Sequence, residues 1–272
     1  MAGRGAGRWG LRSRRVAYAA TVFIDQGNPW VRRPGRCVFT VDGASRTYDL
    51  AWRDLPDAVR DEGFAAANPP RFTTGIGLRP WARGVWIELG GFNGDPSSAD
   101  ALRLTPLQAE IEARVETLRT APVVVFDLRG NNGGSSAWIN AMADTLWGEG
   151  WIKARKVAST RVDWRTSEDN IAMLGGYRDQ FADQPAITAW LEKAVAGMTA
   201  ARAAGQPLWA EDDEAESGPP PQGASANPVR GRVYVFTDYG CASACLDAVD
   251  VLKAAGAVQI GQETSADTVY ME

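Results

Sequence analysis

The chain has 272 residues, 45% of them hydrophobic and 23% charged, with a net charge of −4. That balance is ordinary for a globular fold of one large domain or a domain plus a fragment, and it gives no electrostatic case for nucleic acid. No run reaches the roughly 18 apolar residues that a membrane-spanning helix needs. The sequence contains no histidine. Its three cysteines, Cys37, Cys241 and Cys245, make no disulfide framework and lack zinc-site spacing, so no metal and no cofactor is read.

Residues 1–15 are Gly/Arg-rich and read as disordered. The stretch Val16–Ile24, VAYAATVFI, has a basic flank and a short apolar core, but no small-residue cleavage site follows it, and it reads as a buried strand instead of a signal peptide. CVFTVDGASRTYDLAW, Cys37 to Trp52, alternates apolar and polar residues about Asp42-Gly43 and predicts a β-hairpin with that pair at its tip. GVWIELGGF, Gly84 to Phe92, is a further strand segment. Thr105 to Thr120 predicts an amphipathic helix with Leu107, Ile111, Val115 and Leu118 on one face.

APVVVFDL, Ala121 to Leu128, is a near-continuous apolar run, the pattern of a strand buried on both faces. It breaks into RGNNGGSS and resumes as a helix, AWINAMADTLW. A second unit repeats the scheme with RVYVFTD, YGCAS and ACLDAVDVLKAAG, and AVQIG follows as a short strand. Strands alternating with helices predict an α/β core with parallel pairing. Between the two units lies an insertion, about 151–227, helix-prone at first and ending in an acidic, Pro/Gly/Ser-rich stretch. The chain thus divides into residues 1–15, an N-terminal β segment over 16–80, and a core over 81–272 that carries the insertion.

Two places are suited to chemistry, each where a buried strand gives way to a helix, the end of an α/β sheet at which ligands bind. One is Asp127-Leu128-Arg129-Gly130-Asn131-Asn132-Gly133-Gly134. Its glycines let the backbone approach a ligand closely, but it lacks the Gly-Lys-Ser/Thr ending of a phosphate loop, and a plain Gly-rich turn is the simpler reading. The other is Ser243, between Cys241 and Cys245 at a helix start. A serine there is most often an N-cap, and the cysteines are read first as reduced helix-packing residues, with a local disulfide and a catalytic thiol as the alternatives. Together, a helix-start serine and a Gly-rich turn supply what acyl transfer needs: a nucleophile, and N–H donors for the oxyanion that forms.

VVVFDLRGNNGG, together with the segment from Val233 to Thr268, resembles the S41 peptidases, the tail-specific or C-terminal processing protease family. Ala242-Ser243-Ala244 matches the family's nucleophile context, Gly261 and Thr264 match a following G-x-x-T, and GVWIELGGF is similar to the strand that precedes these elements. The resemblance implies a ClpP/crotonase-like α/β core and a peptide or protein substrate. It also implies Ser243 as nucleophile, with oxyanion N–H groups from Ala244 and from Gly133 or Gly134, and Asp127 and Arg129 as residues that shape the turn. Residues 35–50 look like the part that joins a PDZ-like domain to the core. The family's usual export implies a periplasmic or secreted protein, which permits a Cys241–Cys245 bond.

The base departs from the pattern. Asp267 stands where the family has a lysine, and its charge would oppose a neighbouring oxyanion. The four lysines, Lys153, Lys156, Lys193 and Lys253, are poorly placed, Lys253 being about 15 Å down the helix from Ser243. The chain also ends at Glu272, inside what would be the family's core. The expectation is therefore either a fragment whose base lies elsewhere or a natural pseudoenzyme. Two other readings stand beside the peptidase: a peptide-binding module on the same fold, and a crotonase-like enzyme acting on acyl thioesters. Oligomeric state is not readable.

Overall fold

A computed structural model describes residues 11–12, 15–16, 19–24, 32–67, 72–155, 162–211 and 226–265. Most of the Gly/Arg-rich start expected to be disordered lies outside them. Within Val16–Ile24 the strand expected from sequence is replaced by a 3-10 turn at Ala19–Phe23. Two alanines open the turn, and alanine is a weak strand former. Phe23 finds its partner in a ring, stacking on Phe39 at 5.9 Å.

Strands β1 (Arg36–Val41) and β2 (Ala44–Asp49) form the expected hairpin. Asp42 and Gly43 both have positive φ, 51° and 77°, as a two-residue turn matched to strand twist requires. Next comes a helix, α1 (Asp57–Ala67), within the segment read from sequence as β. Then β3 (Ile76–Trp81) pairs antiparallel with β4 (Gly84–Leu89), so the main sheet starts at Ile76, ahead of the expected core boundary. Helices α2 (Ala101–Ala113) and α3 (Val115–Thr120) lead to β5 (Val123–Asp127), α4 (Ala137–Trp147) and α5 (Glu149–Lys153). The insertion follows as β6 (Asp163–Arg165), α6 (Glu168–Gln180), α7 (Pro185–Ala203) and β7 (Leu208–Ala210). The chain returns as β8 (Arg232–Thr237), α8 (Ala244–Ala254) and β9 (Val258–Gly261).

The main sheet has the order β3-β4-β5-β8-β9, parallel from β4 onward. The α/β core of strand–turn–helix units, with an N-terminal hairpin and a helical insertion, is therefore present. One sheet face carries Val85, Ile87, Leu89, Val124, Phe126, Val233 and Val235 against the apolar stripes of α2, α4 and α8, including Leu104, Ile111, Ile139, Met142 and Val251. Each such side chain contributes roughly 1.5–3 kcal/mol by leaving water. The opposite face is built from rings and guanidinium groups: Trp86 packs on Phe236 at 5.3 Å, and Arg79 lies 4.8 Å from the Trp86 ring.

The described residues divide into two compact units, one within 11–152 and 226–265, the other within 153–211. In the second, β6 and β7 pair antiparallel, and Leu174, Leu191, Ala194 and Met198 form a small core with Trp164, Trp190 and Trp209 packed on it. Ser167 caps α6 in the ordinary way, with extended backbone (φ −73°, ψ 155°) and a side chain that accepts the Asn170 N–H.

Candidate active site

Strand β5 ends at Asp127, whose side chain is 1% exposed. A carboxylate so deep needs partners, and it has four donors. The Arg129 N–H and Nε reach Oδ1 at 3.1 and 2.8 Å, while Arg129 Nη2 and Trp86 Nε1 reach Oδ2 at 2.6 and 3.2 Å. The Arg129 guanidinium in turn lies 3.9 Å from the Phe72 ring and 5.3 Å from that of Phe236. Its pKa is pushed further up, chiefly by the hydrogen bond to Asp127. Asp127 and Arg129 thus fold the chain back on itself at the end of the strand.

Asn131, fully buried, holds the next bend: its Nδ2 donates to the Leu89 carbonyl at 2.8 Å, and its Oδ1 accepts the Gly133 N–H at 2.8 Å. Gly133 has φ 108° and Gly134 φ 133°, a region that side chains rarely enter. A Cβ on Gly133 would lie 2.7 Å from the Ala242 carbonyl oxygen and 2.8 Å from Ser243 Cβ. The Gly-rich turn and the serine loop are therefore in contact at these residues.

Ser243 sits at the head of α8, exposed to solvent, with Ala244 buried beside it. Its backbone is at φ 52°, ψ −129°, and its side chain makes no capping hydrogen bond to the helix. Besides Asp42 in the hairpin turn, it is the non-glycine residue with positive φ among the described residues. The simple reading of Ser243 as an N-cap does not describe it. Nor are its neighbours the reduced packing pair expected first: Cys241 and Cys245 are joined by a disulfide and both are fully buried. Cys37 is a free thiol.

Asp238 ties the two loops together. One carboxylate oxygen accepts the Gly130 N–H at 2.8 Å across 108 residues of chain, and the other accepts the Gly240 N–H at 2.8 Å. The G-x-x-T segment runs alongside, with the Gln262 N–H bonded to the Thr237 carbonyl at 3.0 Å and the Ser265 N–H to that of Cys241 at 2.9 Å. One turn into α8, Asp247 accepts a hydrogen bond from Ser136 Oγ of the Gly-rich loop.

Of the residues expected from sequence, Gly133 meets Ser243 and Ala244, while Gly134, next in the chain, lies against Phe92 and Asn93. Asp127 and Arg129 stand behind the turn. Lys253 is in the last turn of α8, and Asp267 lies outside the described residues. Asn131, Asp238 and the Ser136–Asp247 pair were not picked out. Each is a polar loop or surface residue whose significance is its partner, and only the D-L-R-x-N-x-G-G spacing marked Asn131 at all.

Residues 99–272 match the family model for Peptidase family S41. No curated protein matches the chain. Among solved structures, the chain is similar to mature CPAF complexed with lactacystin, with a TM-score of 0.45 and 12% identity over 97% of this chain and 61% of that one. It is also similar to the photosystem II D1 C-terminal processing protease, with a TM-score of 0.26 and 14% identity over 81% of this chain and 40% of that one. The chain spans less than two thirds of the length of either.

Proposed function

The chain belongs to peptidase family S41, and on that premise we propose that it is a serine-type endopeptidase acting through Ser243 on peptide or protein chains. The observation that carries the reading is the Ser243 backbone. A non-glycine residue at φ 52°, ψ −129° costs about 1–3 kcal/mol and persists only where its surroundings impose it, a condition that clusters at functional sites. Ser167 is the internal contrast: a serine that merely caps a helix adopts extended backbone and uses its hydroxyl for the helix. Ser243 does neither, and it presents its side chain at an exposed strand-to-helix turn, the arrangement of a nucleophile elbow.

In this reading Ser243 Oγ attacks the scissile carbonyl carbon and gives up its proton to an acceptor. The carbonyl oxygen becomes an oxyanion, held by the Ala244 N–H at the helix start and by a glycine N–H of the facing turn. Gly134 is the better second donor, because the Gly133 N–H is already engaged by Asn131. Each donor is worth about 10²–10³ in rate. Collapse breaks the C–N bond, the leaving amine takes a proton, and water hydrolyses the serine ester. Asp267, in the family's lysine position, is the acceptor the sequence offers.

A second reading, a peptide-binding S41-like protein, is favoured by one observation: the sequence has no histidine and no lysine at that position. Fluorophosphonate labelling of wild type and Ser243→Ala, mapped by mass spectrometry, separates the two. Covalent label at Ser243 in wild type alone supports the peptidase. Absence of label from folded wild type overturns it in favour of peptide binding.

A further inference from the structure

The strained backbone at Ser243 needs something to impose it: the helix fixes its carbonyl, which accepts the Leu246 and Asp247 N–H groups at 2.7 and 3.4 Å, but leaves its φ unexplained. The Ser243 side chain makes no capping bond, so the usual force that sets a helix-start serine is not in play. Flanking the residue on both sides is the disulfide. Cys241 and Cys245 lie two residues to either side of Ser243, with Cα atoms 5.2 Å apart. Both ends are anchored: Cys241 and Cys245 are fully buried, the Cys241 N–H donates to Asp238 and its carbonyl accepts from Ser265, and the Cys245 N–H donates to Ala242. That same Ala242 carbonyl faces Gly133. The bonded ring therefore spans the segment that meets the Gly-rich turn.

We propose that the Cys241–Cys245 disulfide is the positioning element of this site: it holds Ser243 in its left-handed conformation, with the hydroxyl off the helix and beside Gly133. The inference rests on the reading of Ser243 as nucleophile and adds a requirement for an oxidised cysteine pair. Opening the ring removes the constraint. Ser243 then relaxes toward extended backbone, where its Oγ accepts a bond from an N–H of the first helical turn, as Ser167 does. The serine becomes a cap. The chemistry of opening is simple: a dithiol supplies two electrons and two protons, the S–S bond becomes two thiols, and the dithiol closes to its own cyclic disulfide. Because both sulfurs are buried, local opening of the loop must precede attack.

The test uses the full chain, oxidised and after treatment with dithiothreitol, with Cys241→Ala/Cys245→Ala alongside. Alkylation and mass mapping report the thiols, Cys37 being the internal standard that alkylates without reductant. Fluorophosphonate labelling reports Ser243, hydrogen exchange over 241–247 reports the loop, and thermal melting reports the fold. The expected result is a fall in labelling rate of at least about tenfold, the effect of releasing one strained residue, in the reduced protein and in the variant. Reoxidation restores the rate in wild type alone, and melting shows the fold retained. Unchanged labelling with both thiols free overturns the proposal, as does finding the two cysteines unbonded in the native protein. If oxidised wild type takes no label, the peptidase reading falls, and hydrogen exchange decides the positioning role separately. Faster exchange confined to 241–247 on reduction upholds it, and unchanged exchange overturns it.

Discussion

Replacing Gly133 by alanine should drive the two halves of the site apart. The new Cβ would stand 2.7 Å from the Ala242 carbonyl oxygen, 2.8 Å from Ser243 Cβ and 3.3 Å from the Ala244 nitrogen, all inside ordinary contact distance. It would also place a side chain at φ 108°. The backbone strain is worth about 1–3 kcal/mol, and forcing backbone and serine to yield adds about 1–3 kcal/mol by analogy with overpacked cores. The sum, about 2–6 kcal/mol, is a large part of the 5–15 kcal/mol that holds a typical domain. Gly256→Ala is the control. Gly256 also has positive φ, 92°, but a Cβ there meets nothing within 4 Å, so only conformational strain of about 1–2 kcal/mol remains. Urea unfolding followed by tryptophan fluorescence measures both variants, and serine-probe labelling of the folded fraction measures the site. Gly133→Ala should be the less stable by more than about 1 kcal/mol and should lose labelling, which Gly256→Ala retains. Equal stabilities with labelling intact in both would refute the contact between turn and serine loop.

Removing the Asp127 carboxylate with Asp127→Ala leaves the half-buried Arg129 guanidinium and Trp86 Nε1 without their acceptor. A loss of about 3 kcal/mol in urea unfolding is expected, toward the lower end for breaking a buried pair because Arg129 keeps some contact with water. Asp238→Ala frees the Gly130 and Gly240 N–H groups at once, at about 1–3 kcal/mol for each that stays buried without a partner. Its hydrogen-exchange signature should be increased exchange in both loops together. An effect confined to the serine loop would mean that Asp238 does not tie the two.

Much of the scaffold could be read because its signals are local. The Asp42-Gly43 hairpin rests on two adjacent residues that tolerate positive φ, and the apolar run from Val123 needs only its neighbours to declare a buried strand. The helix expected from Thr105 shows the limit. It begins at Ala101, where Ser98 Oγ accepts the Ala101 N–H, and it is interrupted at Arg114, so α2 and α3 stand where one helix was read. Cap and break depend on loop geometry that periodicity does not report. The site divides the same way. The glycines and Ser243 were visible as a pattern, whereas Asp238 matters through a bond to Gly130, and nothing near it in the chain says so. The cysteine pair was ambiguous for a related reason: a spacing of four suits both a helical face and a local bridge. The bond itself distinguishes them.

The long separation between the site's halves also bears on how the protein acquires its fold. Strands β5 and β8 are neighbours in the sheet, yet the segment between them contains the whole insertion, and contacts across so much chain form late because the loop must close before any pairing is gained. The antiparallel pair β6–β7 shortens that search. Trp164 and Glu211, 47 residues apart in sequence, are hydrogen-bonded at the mouth of the insertion, so once the insertion has formed, the loop left to close is little more than half as long. The entropic saving is only about 0.5 kcal/mol, but it comes from a unit with its own small core. An insertion folding first would act as a clip on the chain, delivering β8 to the sheet and, with it, the serine to the glycines.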